Sequence, residues 1–199
     1  MDVYDEALLI VTSDHGEEFM EHGRVSHFYT TYQEVLHVPL IVRGPGVPQG
    51  LRVEAPVSIV DIVPTILALV GARPPETVDG FDLSPLWQDG DAGPLLDRDL
   101  FGEGTGGTIF GGAARGIPEY TSVRRGRYKL VHEAASDRSA LYDLGSDPGE
   151  QADVSAEEPG IAALLAAKLR ARHEGQEPGS GVEIAPEDLE RLRALGYAP

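Results

Sequence analysis

The chain of 199 residues contains no cysteine. Disulfides, cysteine-ligated zinc and a cysteine nucleophile are therefore excluded from these residues. Basic residues are also scarce: 16 Lys and Arg stand against 33 Asp and Glu, a formal net charge of −17. A nucleic-acid backbone needs clustered Lys and Arg, so no nucleic-acid partner is expected. A small anionic substrate stays compatible with the acidic balance, because a bound cation inverts the local sign. No apolar run reaches the ~20 residues of a membrane span, and none is expected in this segment. Met1 to Asp5 lack the basic start of a secretory signal, so the compartment stays unknown. Hydrophobic residues make up 41% of the chain, enough for an ordinary folded core.

The pattern of elements is that of an α/β chain. Ala7 to Thr12 is a continuous apolar run, as in a strand covered on both faces of a parallel sheet. Ser13 to His27 reads as loop. Phe28 to Leu36 predicts a short helix, and Val38 to Val42 a second buried strand with Pro39 at its start. Ser58 to Gly71 predicts a helix capped by Ser58 or Asp61, with Pro64 in its first turn and Gly71 at its stop. Val60, Val63, Leu67 and Val70 would form its apolar face. Beyond about Pro85 the character changes. Gly and Asp dominate to Gly116, around a short strand near Asp99 to Gly102. Glu119 to Arg124, Tyr128 to His132 and Ser139 to Leu144 then predict a small antiparallel sheet. Ile161 to His173 predicts an amphipathic helix with Ile161, Leu164, Leu165 and Leu169 inward. A polar linker at 174–181 and a last helix at 187–197 follow. The expected division is a first α/β portion at 1–97 and a small α+β subdomain at 98–199.

The densest chemistry follows the first strand. In open α/β sheets, ligands bind beyond the carboxyl ends of strands, where Asp14 and His15 stand. A carboxylate oxygen and an imidazole nitrogen suit a divalent cation such as Ca²⁺, Mn²⁺, Mg²⁺ or Zn²⁺. Gly16 permits a turn and a close approach. A capped polar turn is the competing reading of the same three residues. His22 and His27 add two further donors. Glu17, Glu18 and Glu21 read as a solvated acidic face, and His37 as structural. His132 and His173 stand alone. Arg124 and Arg125 read as a solvated turn, with the substrate side as the alternative.

The series Thr12-Ser13-Asp14-His15-Gly16-Glu17, Glu21-His22-Gly23 and His37-Val38-Pro39-Leu40-Ile41 resembles the sulfatase family of the alkaline phosphatase superfamily. The likeness continues through Val60-Asp61-Ile62-Val63-Pro64-Thr65-Ile66-Leu67 and Asp79-Gly80-Phe81-Asp82-Leu83. It extends to Tyr128-Lys129-Leu130, Leu141-Tyr142-Asp143-Leu144, Asp147-Pro148-Gly149-Glu150 and Leu192-Arg193-Ala194-Leu195-Gly196-Tyr197. The resemblance implies a partial alkaline-phosphatase-like α/β sandwich, followed by a small C-terminal antiparallel sheet with a packed helix. It implies Asp14 and His15 as metal ligands and His27 as a catalytic, substrate-binding residue, at a position where many members carry lysine. His22 would help shape the same substrate pocket. Many sulfatases carry Asp-Asn at the ligand pair and use Ca²⁺. The Asp-His form is similar to sulfatases and phosphonate monoester hydrolases that accept other divalent ions.

One family feature is absent. The formylglycine nucleophile arises from a Cys/Ser-x-Pro-x-Arg motif, and these residues hold no such motif. The expectation is therefore the C-terminal portion of a sulfatase, marginally stable and inert alone. A nucleophile-bearing N-terminal region would then complete the site. The implied substrate is a sulfate-ester small molecule or a sulfated glycan. A phosphonate monoester or phosphodiester hydrolase and a non-catalytic, metal- or partner-binding lobe are the alternatives.

Overall fold

A computed structural model describes residues 3–27, 30–75, 77–88, 92–104, 120–174 and 190. Most of the Gly-rich 102–116 segment, the linker after 174, all but residue 190 of the expected terminal helix and the 192–197 motif lie outside them. In chain order the elements are β1 (Leu9–Thr12), β2 (Glu18–Phe19), β3 (Val25–Ser26), α1 (Gln33–Leu36), β4 (Leu40–Arg43) and a 3₁₀ turn (Ile59–Asp61). Then come α2 (Ile62–Leu69), a second 3₁₀ turn (Ser84–Leu86), α3 (Gly93–Leu96), β5 (Leu100–Gly104), β6 (Tyr120–Arg125), β7 (Tyr128–Glu133), β8 (Arg138–Asp143) and α4 (Pro159–His173). They fall into two compact units. One comprises Met1–Gly16 with His37–Leu100, the other Glu17–Leu36 with Phe101–Pro199.

In the first unit, β1 and β4 pair antiparallel, with Leu9 opposite Arg43 and Thr12 opposite Leu40. The apolar run at 7–12 predicts a parallel strand covered on both faces, and the structure corrects this. Leu9, Val11 and Ile41 share one face by the period of two, and they are 46, 47 and 60% exposed. The helix at 58–71 divides into the 3₁₀ turn and α2 and ends with Gly71 at φ +70°, the left-handed conformation glycine serves best.

The face of that helix is also not the expected one. Val60, Val63 and Val70 are half exposed or more, whereas Asp61, Pro64 and Thr65 are buried. Polar bonding explains the inversion. The Asp61 carboxylate accepts from the Ser58 and Phe81 amides at 2.8 and 2.9 Å, and from both terminal nitrogens of Arg98. Thr65 Oγ1 donates to the Asp61 carbonyl at 2.6 Å and accepts from the Leu83 amide at 2.9 Å. A buried carboxylate needs such partners, and they draw the polar side of the helix inward. Gly80 completes the join, since a Cβ there would lie 2.1 Å from the Val60 carbonyl oxygen.

In the second unit, four strands lie in the order β5-β6-β7-β8. The β6–β7 hairpin turns through Gly126 at φ +58°, and Arg125 pairs with Tyr128. Register places Val123, Leu130 and Leu141 on one face. There they pack with Leu165 and Leu169 of α4, each burial contributing about 1.5–3 kcal/mol. Leu164, expected inward, is 51% exposed, because the helix meets the sheet along its 161-165-169 line, at the helical spacing of four. The other sheet face carries Tyr120, Val131 and Tyr142, packed with Tyr32. The segment 17–36 thus belongs to this unit, and part of the expected loop is a small antiparallel hairpin of β2 and β3. Among the described residues, no helix is long and apolar enough to cross a membrane.

Candidate active site

Asp14 and His15 follow directly on β1. The His15 backbone N–H donates to Asp14 Oδ1 at 3.0 Å. That bond is the main reason the Asp14 carboxyl sits below its ordinary range. Ser13 Oγ donates to the His15 carbonyl at 2.7 Å and tightens the turn. His15 Nδ1 lies 2.8 Å from the Gly16 carbonyl oxygen. A carbonyl only accepts, so Nδ1 carries the proton and Nε2 presents its lone pair. Nε2 is 3.6 Å from Asp14 Oδ2. A carboxylate oxygen and an imidazole lone pair this close match the donor chemistry of two adjacent ligands on one divalent cation. Among the described residues, no group of three or more His, Asp or Glu could hold a metal. The pair fits a cation site but makes up only part of one.

His22 and His27 belong to the second unit, and each meets its own carboxylate. The β2–β3 register sets Glu18 opposite Ser26 and Phe19 opposite Val25. Glu17 and His27 continue that register, with His27 Nδ1 3.0 Å from Glu17 Oε2. The Nδ1 N–H donates to the carboxylate, which fixes the orientation of the ring. Glu18, on the opposite side of the hairpin, is fully buried. Burial pushes its carboxyl upward, and Thr30 Oγ1 donates to it at 3.0 Å. Glu21 Oε2 accepts from the Phe19 amide at 2.5 Å. The three glutamates are therefore not one solvated face, because even a two-residue strand sends neighbours to opposite sides.

His22 is engaged at both ring nitrogens. Nδ1 is 2.5 Å from Glu34 Oε1, and Nε2 is 3.0 Å from the Glu150 carbonyl oxygen. The ring stacks on Tyr32 with centroids 3.6 Å apart. Glu150 is fully buried and pairs with Lys129, Nζ to Oε1 at 2.7 Å, the lysine side chain being 2% exposed. Glu150 Oε2 also accepts from the Gln33 amide at 2.5 Å. Burial draws the Lys129 ammonium below its ordinary range, and the Glu150 carboxylate opposes that pull. Sequence reasoning missed Glu17, Glu34, Lys129 and Glu150. Lys129 gave one signal, a charge inside the apolar run of β7. Glu150 stood out only as the end of the family-like stretch Asp147-Pro148-Gly149-Glu150, its partners being 21 to 128 residues away in sequence.

Other positions are simpler. His37 is exposed rather than packed against β4. Arg124 Nε donates to the Gly126 carbonyl within its own turn at 3.0 Å. His132 meets Ser139 Oγ at 3.1 Å.

The family model "Sulfatase" matches residues 2–72, which include β1, the Asp14-His15 pair, the hairpin and α2. Arylsulfatase K of Mus musculus is 34% identical over 181 residues, covering 85% of this chain and 31% of that protein. The chain thus spans about a third of the length of the curated relatives it matches. A solved 2-O GAG sulfatase superposes with a TM-score of 0.70 at 24% identity, over 84% of this chain and 36% of its own. The phosphonate monoester hydrolase of Agrobacterium radiobacter superposes with a TM-score of 0.65 at 30% identity, over 83% of this chain and 35% of its own. The fold is part of an alkaline-phosphatase-like α/β architecture with a C-terminal antiparallel sheet and packed helix. The chain belongs to the sulfatase family of the alkaline phosphatase superfamily.

Proposed function

We propose that this chain supplies part of the active site of a metal-dependent hydrolase of sulfate esters, acting on a small sulfate ester or a sulfated glycan. The observation that carries the reading is the 3.6 Å approach of Asp14 Oδ2 and His15 Nε2, with the lone pair fixed by the Gly16 carbonyl. Asp14 and His15 would hold one divalent cation, Ca²⁺ first, with Mn²⁺, Mg²⁺ or Zn²⁺ as the alternatives. Such a cation supplies Lewis-acid polarisation of a sulfate oxygen and of the nucleophile's oxygen. His27, oriented by Glu17, would place Nε2 to donate to a sulfate oxygen or to the leaving oxygen. His22 would shape the pocket by fixing its loop.

Two ligands fall short of a four-ligand zinc site or a calcium shell of six or more. The nucleophile, a formylglycine by family likeness, has no precursor motif among these residues. The open apolar face of Leu9, Val11 and Ile41 supports the same reading, since sheet faces and edges of this kind call for covering chain. The 199 residues alone are therefore inert, and an upstream sulfatase region completes the site.

Phosphonate monoester hydrolysis is the second reading, favoured by the 30% identity to the Agrobacterium enzyme. Two assays separate these readings. Purified 1–199 should release no sulfate from an aryl sulfate; turnover would overturn the need for an upstream region. A longer form carrying a Cys/Ser-x-Pro-x-Arg motif should show a higher kcat/KM for aryl sulfate than for aryl phosphonate. The reverse ranking would move the assignment to the phosphonate class.

A further inference from the structure

His22 stands between two oxygen acceptors. Its Nε2 faces the Glu150 carbonyl at 3.0 Å and its Nδ1 faces the Glu34 carboxylate at 2.5 Å. Neither a carbonyl nor an ionised carboxylate has a proton to give, so each ring nitrogen must supply one. Neutral imidazole has only one N–H, and the imidazolium has two. The ring stacks on Tyr32 within 6° of parallel, against an aromatic face that favours a cation.

The surroundings agree. Glu34 comes from α1, Glu150 from the loop after β8, and buried Glu18 from β2. Lys129 on β7 neutralises the Glu150 side chain, which leaves the Glu34 carboxylate and the Glu150 carbonyl to face the ring. Arg24 is directed to Tyr120 Oη at 3.1 Å. Gln151 Nε2 lies 3.3 Å from His22 Nε2 but donates at 2.7 Å to the Gly149 carbonyl. Burial works against the charge on His22. The Glu150 carbonyl and then the Glu34 carboxylate outweigh it and hold the imidazole above its ordinary value.

Glu150 joins three points. Its carboxylate holds Lys129 and the Gln33 amide, and its carbonyl holds His22. Its backbone adopts φ +53°, a conformation that costs a non-glycine residue energy and needs the surroundings to impose it. These bonds tie the 17–36 segment, with its hairpin and His27, to the C-terminal sheet of the same unit.

We infer that His22 is held as an imidazolium and is a positioning residue, a charged clasp that fixes the hairpin presenting His27. Its catalytic relevance rests on the hydrolase reading above, but its protonation state does not.

The test is histidine-ring ¹⁵N NMR of the 199-residue chain across a pH titration. His22 should keep both ring protons at a pH above the ordinary imidazole value of about 6.5. Glu34→Gln preserves shape and removes the charge, and should lower the His22 midpoint. The same variant should move the His27 ring resonances, while the control Leu164→Ala, at an exposed position of α4, should not. A backbone spectrum of each variant keeps unfolding distinct from loss of the clasp. A His22 midpoint at or below that ordinary value, or one unmoved by Glu34→Gln, overturns the inference. So does a ring with a single proton beside a protonated Glu34. An unchanged His27 under a lowered His22 midpoint overturns the positioning role. Absence of sulfatase turnover in a longer form would refute the hydrolase reading while leaving these results standing.

Discussion

Glu150→Gln should destabilise the chain severely, and in a pH-dependent way. The substitution keeps an amide oxygen able to accept from the Gln33 amide, so it removes charge more than hydrogen bonding. It strands the Lys129 ammonium, whose side chain is 2% exposed and whose carboxylate partner lies 2.7 Å away. Breaking a buried pair by removing one member costs about 3–5 kcal/mol, a large part of the ~5–15 kcal/mol that holds a typical domain. The loss has a ceiling, because Lys129 can shed its proton instead of staying charged and unpaired. Burial already draws its pKa down, and without Glu150 nothing comparable opposes that pull. In the variant the unfolded chain then binds more protons than the folded one, between the lowered folded pKa and the unfolded value near 10.4. Stability therefore rises with pH across that window, and the deficit relative to wild type narrows. Urea unfolding followed by far-UV circular dichroism at pH 7 and pH 9 reads both effects. Lys129→Met with Glu150→Gln should recover much of the loss, since a neutral, similarly shaped pair replaces the charges. A single variant within ~0.5 kcal/mol of wild type, or a deficit constant with pH, would mean that the Lys129–Glu150 pair does not hold a buried charge in this way.

Asp143 is held at about 2, first by the Arg127 guanidinium and then by Ser146 and the Gly145 amide against the cost of burial. Its contribution is present above the unfolded carboxyl value near 3.9 and is lost as pH falls toward about 2. Acid unfolding should therefore begin at higher pH and lose steepness over this interval in Asp143→Asn. His22 works in the opposite sense, because its folded value is raised. Its contribution is complete below ~6.5 and fades as pH climbs through the folded value. The stability gap between wild type and His22→Ala should thus shrink in alkaline buffer. Gly80→Ala drives a Cβ to 2.1 Å from the Val60 carbonyl oxygen and should cost about 1–3 kcal/mol or more by chemical denaturation. Gly71 has φ +70° but open space around its Cβ position, so Gly71→Ala should cost only backbone strain and fall below Gly80→Ala. Leu141→Ala, fully buried against Leu165 and Leu169, should lose about 2–5 kcal/mol.

Which of these residues the sequence exposes depends on the range of the physics. Strands β6 to β8 and α4 were legible because their periodicities are local and their turns carry glycine or polar residues. Asp14 and His15 stand out because they follow directly on a buried-looking run, and the structure brings their donor atoms to 3.6 Å. The inward face of α2 was not. Its valine stripe has the period of a core face, but Asp61 and Thr65 bind backbone up to 20 residues away and turn the helix over. The β1–β4 pairing was misjudged because an apolar run does not state whether its partner is parallel. Glu150 and Lys129 meet through strand register and a left-handed turn, neither of which leaves a local pattern. The roles of Glu17 and Glu18 depend on a hairpin only two residues long on each side, too short for alternation to register.

Asp14, His15 and His27 are proposed to serve the hydrolysis of a sulfate ester. The most direct measurement is sulfate release from an aryl sulfate by a form that includes the upstream sulfatase region, comparing wild type with Asp14→Ala and His27→Ala. Turnover should be cation-dependent and fall by about 100-fold or more in each variant, the scale of losing a ligand or a charge-stabilising donor. Turnover that survives either substitution unchanged, or proceeds at the same rate after chelation, would contradict it.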